Sequence, residues 1–195
     1  MNLEINDAMI PGTKLKKSDM GNVTGLEFLS KVFFISEGVM LSQIREVSGI
    51  DGSTLQNWTK RGWVANARLK KYNIDQVAHI LIINMLRSCI QLDKIALLLQ
   101  YINGKIDDKS DDIIRDSVLY DYICSILDTL TRQDVASKSS IKEVIAEQIA
   151  DYEEAMPGAR ERLANALEII VTAYYAALIK RSSDEMLTDL MSRPY

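Results

Sequence analysis

Hydrophobic residues recur every three or four positions along most of the chain, which is the period of an α-helix. In the first half, glycines and capping residues delimit five predicted helices, over residues 24–36, 41–48, 52–61, 74–86 and 91–103. The fourth is apolar on nearly every side, so we expect it to be buried. In the second half, four helical patterns cover residues 113–130, 141–156, 163–178 and 184–191. The predicted fold class is therefore mostly α.

Polar segments indicate how these helices are grouped. Residues 1–23 are rich in polar and turn residues and show no sustained period, which predicts a flexible N-terminal arm. The acidic stretch 107–112 separates the two sets of helices and places negative charge before the next helix, where the helix dipole favours it. We therefore expect one domain over residues 24–105 and, over residues 106–195, a helical bundle for dimerisation, effector sensing or both.

Two of the short helices are joined by a tight link, Ser48-Gly49-Ile50-Asp51, which is typical of a helix-turn-helix. Residues 63–72 follow, with β-prone ends and a basic middle, and predict a short hairpin or wing without an Asn-Gly or Asp-Gly turn. Together these features predict a winged helix-turn-helix. The chain's two tryptophans, Trp58 and Trp63, should form a small core that anchors the second helix to the wing, rather than stack on a ligand.

Charge is distributed unevenly along the chain, whose formal net charge is −4. Residues 1–100 hold 12 Lys and Arg against 9 Asp and Glu, a balance of +3, and residues 101–195 hold 11 against 18, a balance of −7. Between residues 60 and 71 there are five basic residues and no acidic one. Because this patch coincides with helix-turn-helix spacing, nucleic-acid binding is favoured over a merely solvated basic face.

The predicted DNA-binding residues form two groups. The cations expected to bind phosphates are Lys60, Arg61, Arg68, Lys70 and Lys71. The residues in the first turns of the second helix, whose hydroxyl or amide groups would bind phosphates or adenine edges, are Ser53, Thr54, Gln56 and Asn57. The prediction concerns each group as a whole rather than any single member.

Several segments of the chain resemble the DNA-binding domain of MerR-type regulators. They are Thr54-Leu55-Gln56-Asn57-Trp58, Gly62-Trp63-Val64, Tyr72 and Leu92-Asp93-Lys94-Ile95. The resemblance implies a winged helix-turn-helix, a dimer on promoter DNA, and DNA contacts through Gln56, Asn57, Arg68 and Lys71. The chain departs from that family in lacking a recognisable long C-terminal dimerisation helix. As a whole it looks closer to a family of Gram-positive bacteria, catalogued as a domain of unknown function, that pairs a MerR-like segment with a helical tail.

The sequence gives no support to an enzymatic function. His79 is the only histidine, so no serine or cysteine nucleophile has a suitably placed base, and no glycine-rich phosphate loop is present. The acidic stretch lacks the glycine and glutamate that an EF-hand requires. Cys89 and Cys124 lie in apolar helical patterns and should be buried free thiols. We therefore expect no catalytic residue, no metal and no cofactor.

The leading hypothesis is a cytoplasmic bacterial transcriptional regulator whose partners are double-stranded DNA, a second copy of itself and an unidentified small-molecule effector. The N-terminus has no signal-peptide pattern, and no run is expected to approach the ~18 uncharged apolar residues of a membrane span. The alternative is a non-enzymatic protein-interaction or structural adaptor built on a winged-helix scaffold, since a fold does not fix a function.

Overall fold

The computed structural model describes residues 9–33, 38–106, 108–133 and 137–192. Within these residues the protein is mostly helical, as predicted, with eight α-helices and two short strands. The helices are α1 Gly25–Phe33, α2 Leu41–Ser48, α3 Gly52–Lys60, α4 Ile74–Leu86, α5 Leu92–Asn103, α6 Asp116–Gln133, α7 Lys138–Gln148 and α8 Ala159–Ser192. The strands are β1 Val39–Met40 and β2 Lys71–Tyr72. The predicted end of the first helix, residues 34–36, lies outside the described residues.

Local chemistry determines the pair formed by α2 and α3. Helix α2 ends at Gly49, whose φ of 72° is left-handed. Asp51 then begins α3, because its carboxylate accepts hydrogen bonds from the backbone N–H groups of Ser53 and Thr54 at 3.1 and 3.2 Å. The predicted bounds of these two helices hold to within one residue.

The two strands form an antiparallel pair in which Val39 lies opposite Tyr72 and Met40 lies opposite Lys71. Strand β1 directly precedes α2, and β2 lies one residue before α4. The pair therefore ties the segment between α3 and α4 to the start of α2. The hairpin predicted within residues 63–72 is reduced to one bridge between Arg68 and Lys71, because β2 pairs with β1 instead.

Helix α4 lies at the centre of the packing. Eight of its thirteen residues are buried, among them Ile80, Leu81 and Leu86, which confirms the prediction of a buried helix. Burial on all sides is achieved because α1, α2 and α5 pack against α4 together with α6 and α8. One hydrophobic core therefore extends across the acidic stretch. The division into domains at residues 24–105 and 106–195 stays a prediction.

The segment before α1 differs from the flexible arm that we expected over residues 1–23. In the part that the structure describes, Ile10 is completely buried. Asn84 of α4 donates a hydrogen bond to the Gly12 carbonyl at 2.8 Å, and a Cβ on Gly12 would lie 2.2 Å from a backbone carbonyl oxygen of α4. These contacts join residues that are far apart in sequence, so the local hydrophobic pattern did not predict them. Residues 1–8 lie outside the described part of the chain.

The C-terminal helices also differ from the prediction. Helix α8 is continuous over 34 residues and joins the two helices predicted at 163–178 and 184–191. Ser182 and Ser183 do not interrupt it, because a serine inside a helix costs only about 0.5 kcal/mol relative to alanine and no glycine or proline is present. The expectation that the chain lacks a long C-terminal helix was therefore wrong.

Helix α7 ends at Gln148, before the predicted end at residue 156. Arg160 explains this end, because its guanidinium donates hydrogen bonds to the backbone carbonyls of Ile149, Ala150 and Tyr152. An arginine from the following helix thus satisfies carbonyls that a continued α7 would have used. No local sequence signal marks this stop.

By length and composition alone, α8 could cross a membrane, since the mean hydropathy of its most apolar window is 1.3. One third of that window is buried, and Leu163, Leu167 and Ile170 in the first half of α8 are completely buried in the core. Core helices of soluble proteins pass the same test.

Candidate nucleic-acid interface

Helix α3 has an inner face and an outer face. Leu55 and Trp58, which lie nearly one helical turn apart, are each 1% exposed and fix the inner face against the core. Because successive helical residues are about 100° apart, the opposite face carries other positions. These are the exposed residues Ser53, Gln56, Asn57 and Lys60. The structure therefore brings four of the sequence-predicted residues together.

The hydroxyl groups of Ser53 and Thr54 already have a partner within the protein. Both donate hydrogen bonds to the Asp51 carboxylate, with oxygen–oxygen distances of 2.5 and 2.8 Å. These bonds, from Ser53 first and then from Thr54, lower the pKa of Asp51 far below its ordinary value. The hydroxyl hydrogens of the two predicted DNA contacts are thus engaged in capping α3, which leaves only oxygen lone pairs for another molecule.

The segment between α3 and α4 contains a tight turn at residues 68–71, which we call the basic turn. The backbone N–H of Arg68 donates to the Lys71 carbonyl and the N–H of Lys71 donates to the Arg68 carbonyl, both at 2.9 Å. The side chains of Arg68, Lys70 and Lys71 are exposed. Within the described ranges, no carboxylate forms an ion pair with any of them. Three predicted cations are therefore free on one turn.

Arg61 contacts both Asn57 and Trp63. Its guanidinium carbon is 5.1 Å from the centre of the Trp63 ring, a cation–π contact, and its Nε donates to Asn57 Oδ1 at 3.4 Å. Arg61 also lines a cavity together with Trp63 and Lys105. Arg61 therefore lies between the edge of this cavity and Asn57 on the outer face of α3.

The two tryptophans have different environments. Trp58 is 1% exposed, and the guanidinium carbon of Arg87 lies 5.7 Å from its ring centre. Trp63 is only partly buried, and its backbone carbonyl is hydrogen-bonded to His79 Nε2 at 3.0 Å. The predicted indole core is therefore confirmed for Trp58, whereas Trp63 packs at the edge of the core and is held through its backbone as well.

A cleft separates the segment after α3 from the acidic stretch before α6. It consists of two adjoining cavities of about 620 and 500 Å³, a size typical of small-molecule sites. Both cavities are lined by His79, Ile106, Lys109 and Asp116. Residues from α4, from the segment after α3 and from the start of α6 therefore meet around one space.

His79 connects the two sides of this cleft. Because the Trp63 carbonyl can only accept, His79 Nε2 must carry the hydrogen of their bond. On the other side of the ring, Nδ1 lies 3.2 Å from Asp116 Oδ2 but makes no well-aligned hydrogen bond. His79 therefore contacts both the Trp63 segment and the start of α6.

Asp112 provides an acceptor without a partner. Its Oδ2 lies 3.0 Å from Lys109 Nζ, whereas its Oδ1 is buried and has no hydrogen-bond partner among the described residues. Burial is the main cause that raises the pKa of Asp112, and the Asp116 and Asp111 carboxylates add to it against the opposing effect of Lys109. A ligand with an N–H donor would satisfy this oxygen.

Asp75 holds the start of α6 against α4. Its Oδ1 accepts hydrogen bonds from Ser117 N and Oγ at 3.1 and 2.6 Å, and its Oδ2 accepts one from Arg115 Nη2 at 3.0 Å. Burial alone would raise the pKa of Asp75, but the hydrogen bonds from Ser117 and Arg115 outweigh it and lower the pKa. This carboxylate caps α6 from another helix and thereby shapes one wall of the cleft.

Sequence reasoning missed the cleft. It treated His79 only as the single histidine of the chain and Asp112 only as part of the acidic stretch before a helix, because each was considered within its own segment. The cleft forms only when residues far apart in sequence, such as Trp63, His79 and Asp116, come together. The acidic stretch was the only local signal near it, and that signal also fits a capped helix.

Among the residues that the structure describes, no group of three or more His, Cys, Asp or Glu side chains could hold a metal ion. Cys124 is a buried free thiol as expected, and burial raises its pKa to about 12. Cys89 is free but exposed, because it lies in the turn between α4 and α5 and not inside a helix, so its predicted burial was wrong.

Comparisons with known proteins assign the family. A model of the family described as "Domain of unknown function (DUF1836)" matches residues 26–123, and the chain belongs to this family. The matched residues include α3, the basic turn and the cleft, and they end within α6. The chain is also similar to "Uncharacterized protein YkrK" of Bacillus subtilis (strain 168), with 28% identity over 166 residues, covering 80% of this chain and 71% of that protein. No solved structure matches the chain.

Proposed function

We propose that the protein is a non-enzymatic, cytoplasmic transcriptional regulator that binds duplex DNA through a winged helix-turn-helix made by α2, α3 and the basic turn. One observation carries this proposal. An exposed polar face on α3 lies in the same part of the chain as an exposed cationic turn, and neither packs against the core. In helix-turn-helix proteins the second helix enters the major groove while flanking cations bind phosphates. The resemblance to MerR-type regulators supports the same assignment.

The predicted residues take different roles in this proposal. Gln56 and Asn57 present amide groups that pair with base edges. Ser53 and Thr54 hold the start of α3 through Asp51. The residues that neutralise phosphates are Lys60, Arg68, Lys70 and Lys71. Arg61 acts at the edge of the cleft.

A salt series of DNA titrations tests the proposal. Fluorescence anisotropy is measured with labelled promoter duplexes and with scrambled duplexes of equal composition. Four phosphate contacts per protomer predict a log–log salt slope of about −3.6, from about 0.9 per phosphate. A regulator should prefer its own site by about 1,000-fold or more. Weak binding without sequence preference and without salt dependence would reject the proposal.

We also propose that two copies associate through the second half of α8. Four large apolar side chains are 51–65% exposed there, namely those of Ile179, Met186, Leu187 and Leu190. The last three lie seven, eight and eleven positions after Ile179, so all four share one side of the helix. Basic and acidic residues are segregated along the same segment, with Arg181 preceding Asp189. Antiparallel packing about residue 185 would bury both apolar stripes and bring the basic start of this segment in each copy toward the acidic residues of the other.

Replacing Leu187 and Leu190 with aspartate is expected to convert a dimer into a monomer, because burial of four charges at the apolar contact is unfavourable. Light scattering after size-exclusion chromatography measures the mass. Leu97→Asp, an exposed leucine on α5, is the control and should remain dimeric. A wild-type protein that is monomeric at every concentration tested would contradict the proposed contact.

The cleft supports an effector role for a small molecule with an N–H donor. We propose that such a molecule binds the unpartnered Asp112 oxygen and shifts the His79 contacts with Trp63 and Asp116, which changes the position of the segment that carries the basic turn. Amine and amide compounds should raise the Tm of the wild type but not of Asp112→Ala, with Asp108→Ala as control. They should also change DNA affinity by about 5–150-fold. If these compounds raised the Tm of Asp112→Ala as much as the Tm of Asp108→Ala, this site would be rejected.

An adaptor is the second candidate function, because Leu97 and Tyr101 are 64% and 47% exposed one turn apart on α5 and form an apolar patch. Two variants separate the two functions. Unchanged nucleic-acid affinity in Lys70→Glu with Lys71→Glu, together with lost capture of a protein partner in that variant or in Leu97→Asp, would favour the adaptor.

A further inference from the structure

The backbone at the tip of the basic turn is one that its sequence disfavours. The two central residues, Leu69 and Lys70, have φ values of 51° and 62°. A two-residue turn with positive φ at both central positions normally contains Asn-Gly, Asp-Gly or Gly-Gly, because side chains with a Cβ are strained there. Neither residue here is one of these. The strain indicates that the leucine and lysine side chains serve a purpose outside the fold.

Leu69 is the most exposed large hydrophobic residue in the described part of the chain, at 91%. The other large hydrophobic residues that are more than 60% exposed, such as Leu97, Leu190 and Met191, are on helices. Leu69 instead lies at the tip of a turn, with the cation of Arg68 before it and the cations of Lys70 and Lys71 after it. It is therefore a single apolar side chain within a cationic surface and not part of an apolar patch.

The chemistry of this tip fits a nucleic-acid groove. Cations on both sides attract a polyanion, while the leucine needs an apolar surface that accepts one side chain. Stacked base pairs provide such a surface, since leucine is among the residues that proteins insert between base steps in the minor groove, unstacking and kinking the duplex. The turn, which is closed by the two backbone hydrogen bonds between Arg68 and Lys71, holds Leu69 between the phosphate-binding cations.

We propose that Leu69 is a wedge that inserts between adjacent base pairs from the minor groove and kinks the DNA, while Arg68, Lys70 and Lys71 bind the flanking phosphates. This inference rests on the proposed function, because it requires DNA binding. It predicts in addition that the bound DNA is bent. It also predicts a preference for pyrimidine–purine steps, which unstack easily, at a position where the protein makes no hydrogen bond to a base. An anionic lipid surface also accepts an apolar side chain among cations, but a single leucine buries too little apolar area for stable membrane attachment.

The test uses duplexes that carry 2-aminopurine at a TA step and dyes at both ends. Wild-type protein should increase the 2-aminopurine fluorescence and the energy transfer between the dyes, because the step unstacks and the ends approach. Leu69→Ala should lose both signals yet bind within about threefold of the wild type, since the phosphate contacts remain. Leu69→Met, which keeps a flexible apolar side chain, should retain both signals. Circular dichroism checks that each variant is folded.

The outcomes separate the wedge from the proposed function. Salt-dependent DNA binding without a fluorescence change, or with an equal change in Leu69→Ala, would overturn the wedge and leave the DNA-binding proposal standing. Absence of DNA binding by the wild type would overturn both. Binding to phosphatidylserine-containing vesicles that depends on Leu69, without any fluorescence change on DNA, would overturn the wedge in favour of a lipid surface.

Discussion

The Lys70→Glu, Lys71→Glu variant is expected to bind duplex DNA about 100-fold more weakly than the wild type, because two phosphate contacts are replaced by two repulsive charges. Both side chains are exposed and pair with no carboxylate among the described residues, so the fold does not depend on their charges. The loss should be similar for specific and scrambled duplexes, because phosphates carry no sequence information. The log–log salt slope should also become shallower by about 1.8.

Anisotropy titrations at several salt concentrations measure both quantities. The matched control reverses Lys94 and Arg132, which are exposed on α5 and α6 and change the net charge equally. If the control lost as much affinity as the basic-turn variant, the effect would come from net charge and not from a DNA contact at the turn. An unchanged salt slope in the basic-turn variant would remove Lys70 and Lys71 from the interface.

The Trp58→Ala variant is expected to lose about 3–5 kcal/mol of the free energy of unfolding, because it leaves a large cavity beneath α3. Trp58 is 1% exposed and is among the largest side chains that are fully buried in the described core. A loss of this size is a large share of the free energy of unfolding of a typical domain, which is roughly 5–15 kcal/mol. The position of the proposed recognition helix depends on this indole.

Urea denaturation followed by circular dichroism measures the loss. Trp58→Phe, which keeps an aromatic ring in the site, should lose less, and Trp63→Ala should also lose less, because Trp63 is only partly buried. If Trp63→Ala proved more damaging than Trp58→Ala, the anchor of α3 would be Trp63 and the packing described above would be wrong. Both alanine variants should be compared at equal protein concentration, since association contributes to apparent stability.

Most helices were predictable because their signals are local. The period of apolar residues, the cap at Asp51 and the left-handed turn at Gly49 act within about one helical turn, so the bounds of α2 and α3 hold nearly as predicted. The burial of α4 followed from its apolar surface on nearly every side. Of the predicted site, the structure places the four outer residues of α3 on one face and the three other cations on the basic turn, and it places Arg61 against Asn57 and the Trp63 ring.

The missed features depend on contacts between distant segments. Asn84 and the backbone of α4 hold the segment around Gly12, which looked like a free arm because its partners are far along the chain. Arg160 ends α7, although no glycine or proline marks that position. The two serines in α8 looked like a break, but the helix continues through them, because a serine costs little inside a helix and α8 contains no glycine or proline.

The sequence by itself determined the helices, the buried α4 and the cationic turn, because periodicity, caps and charge act through neighbours three or four positions apart. Only the tertiary structure decided the docking of the N-terminal segment, the cleft around His79 and the exposure of Leu69. The physical reason is that close packing and hydrogen bonding of buried groups depend on which distant segments come into contact. No local sequence pattern encodes these contacts.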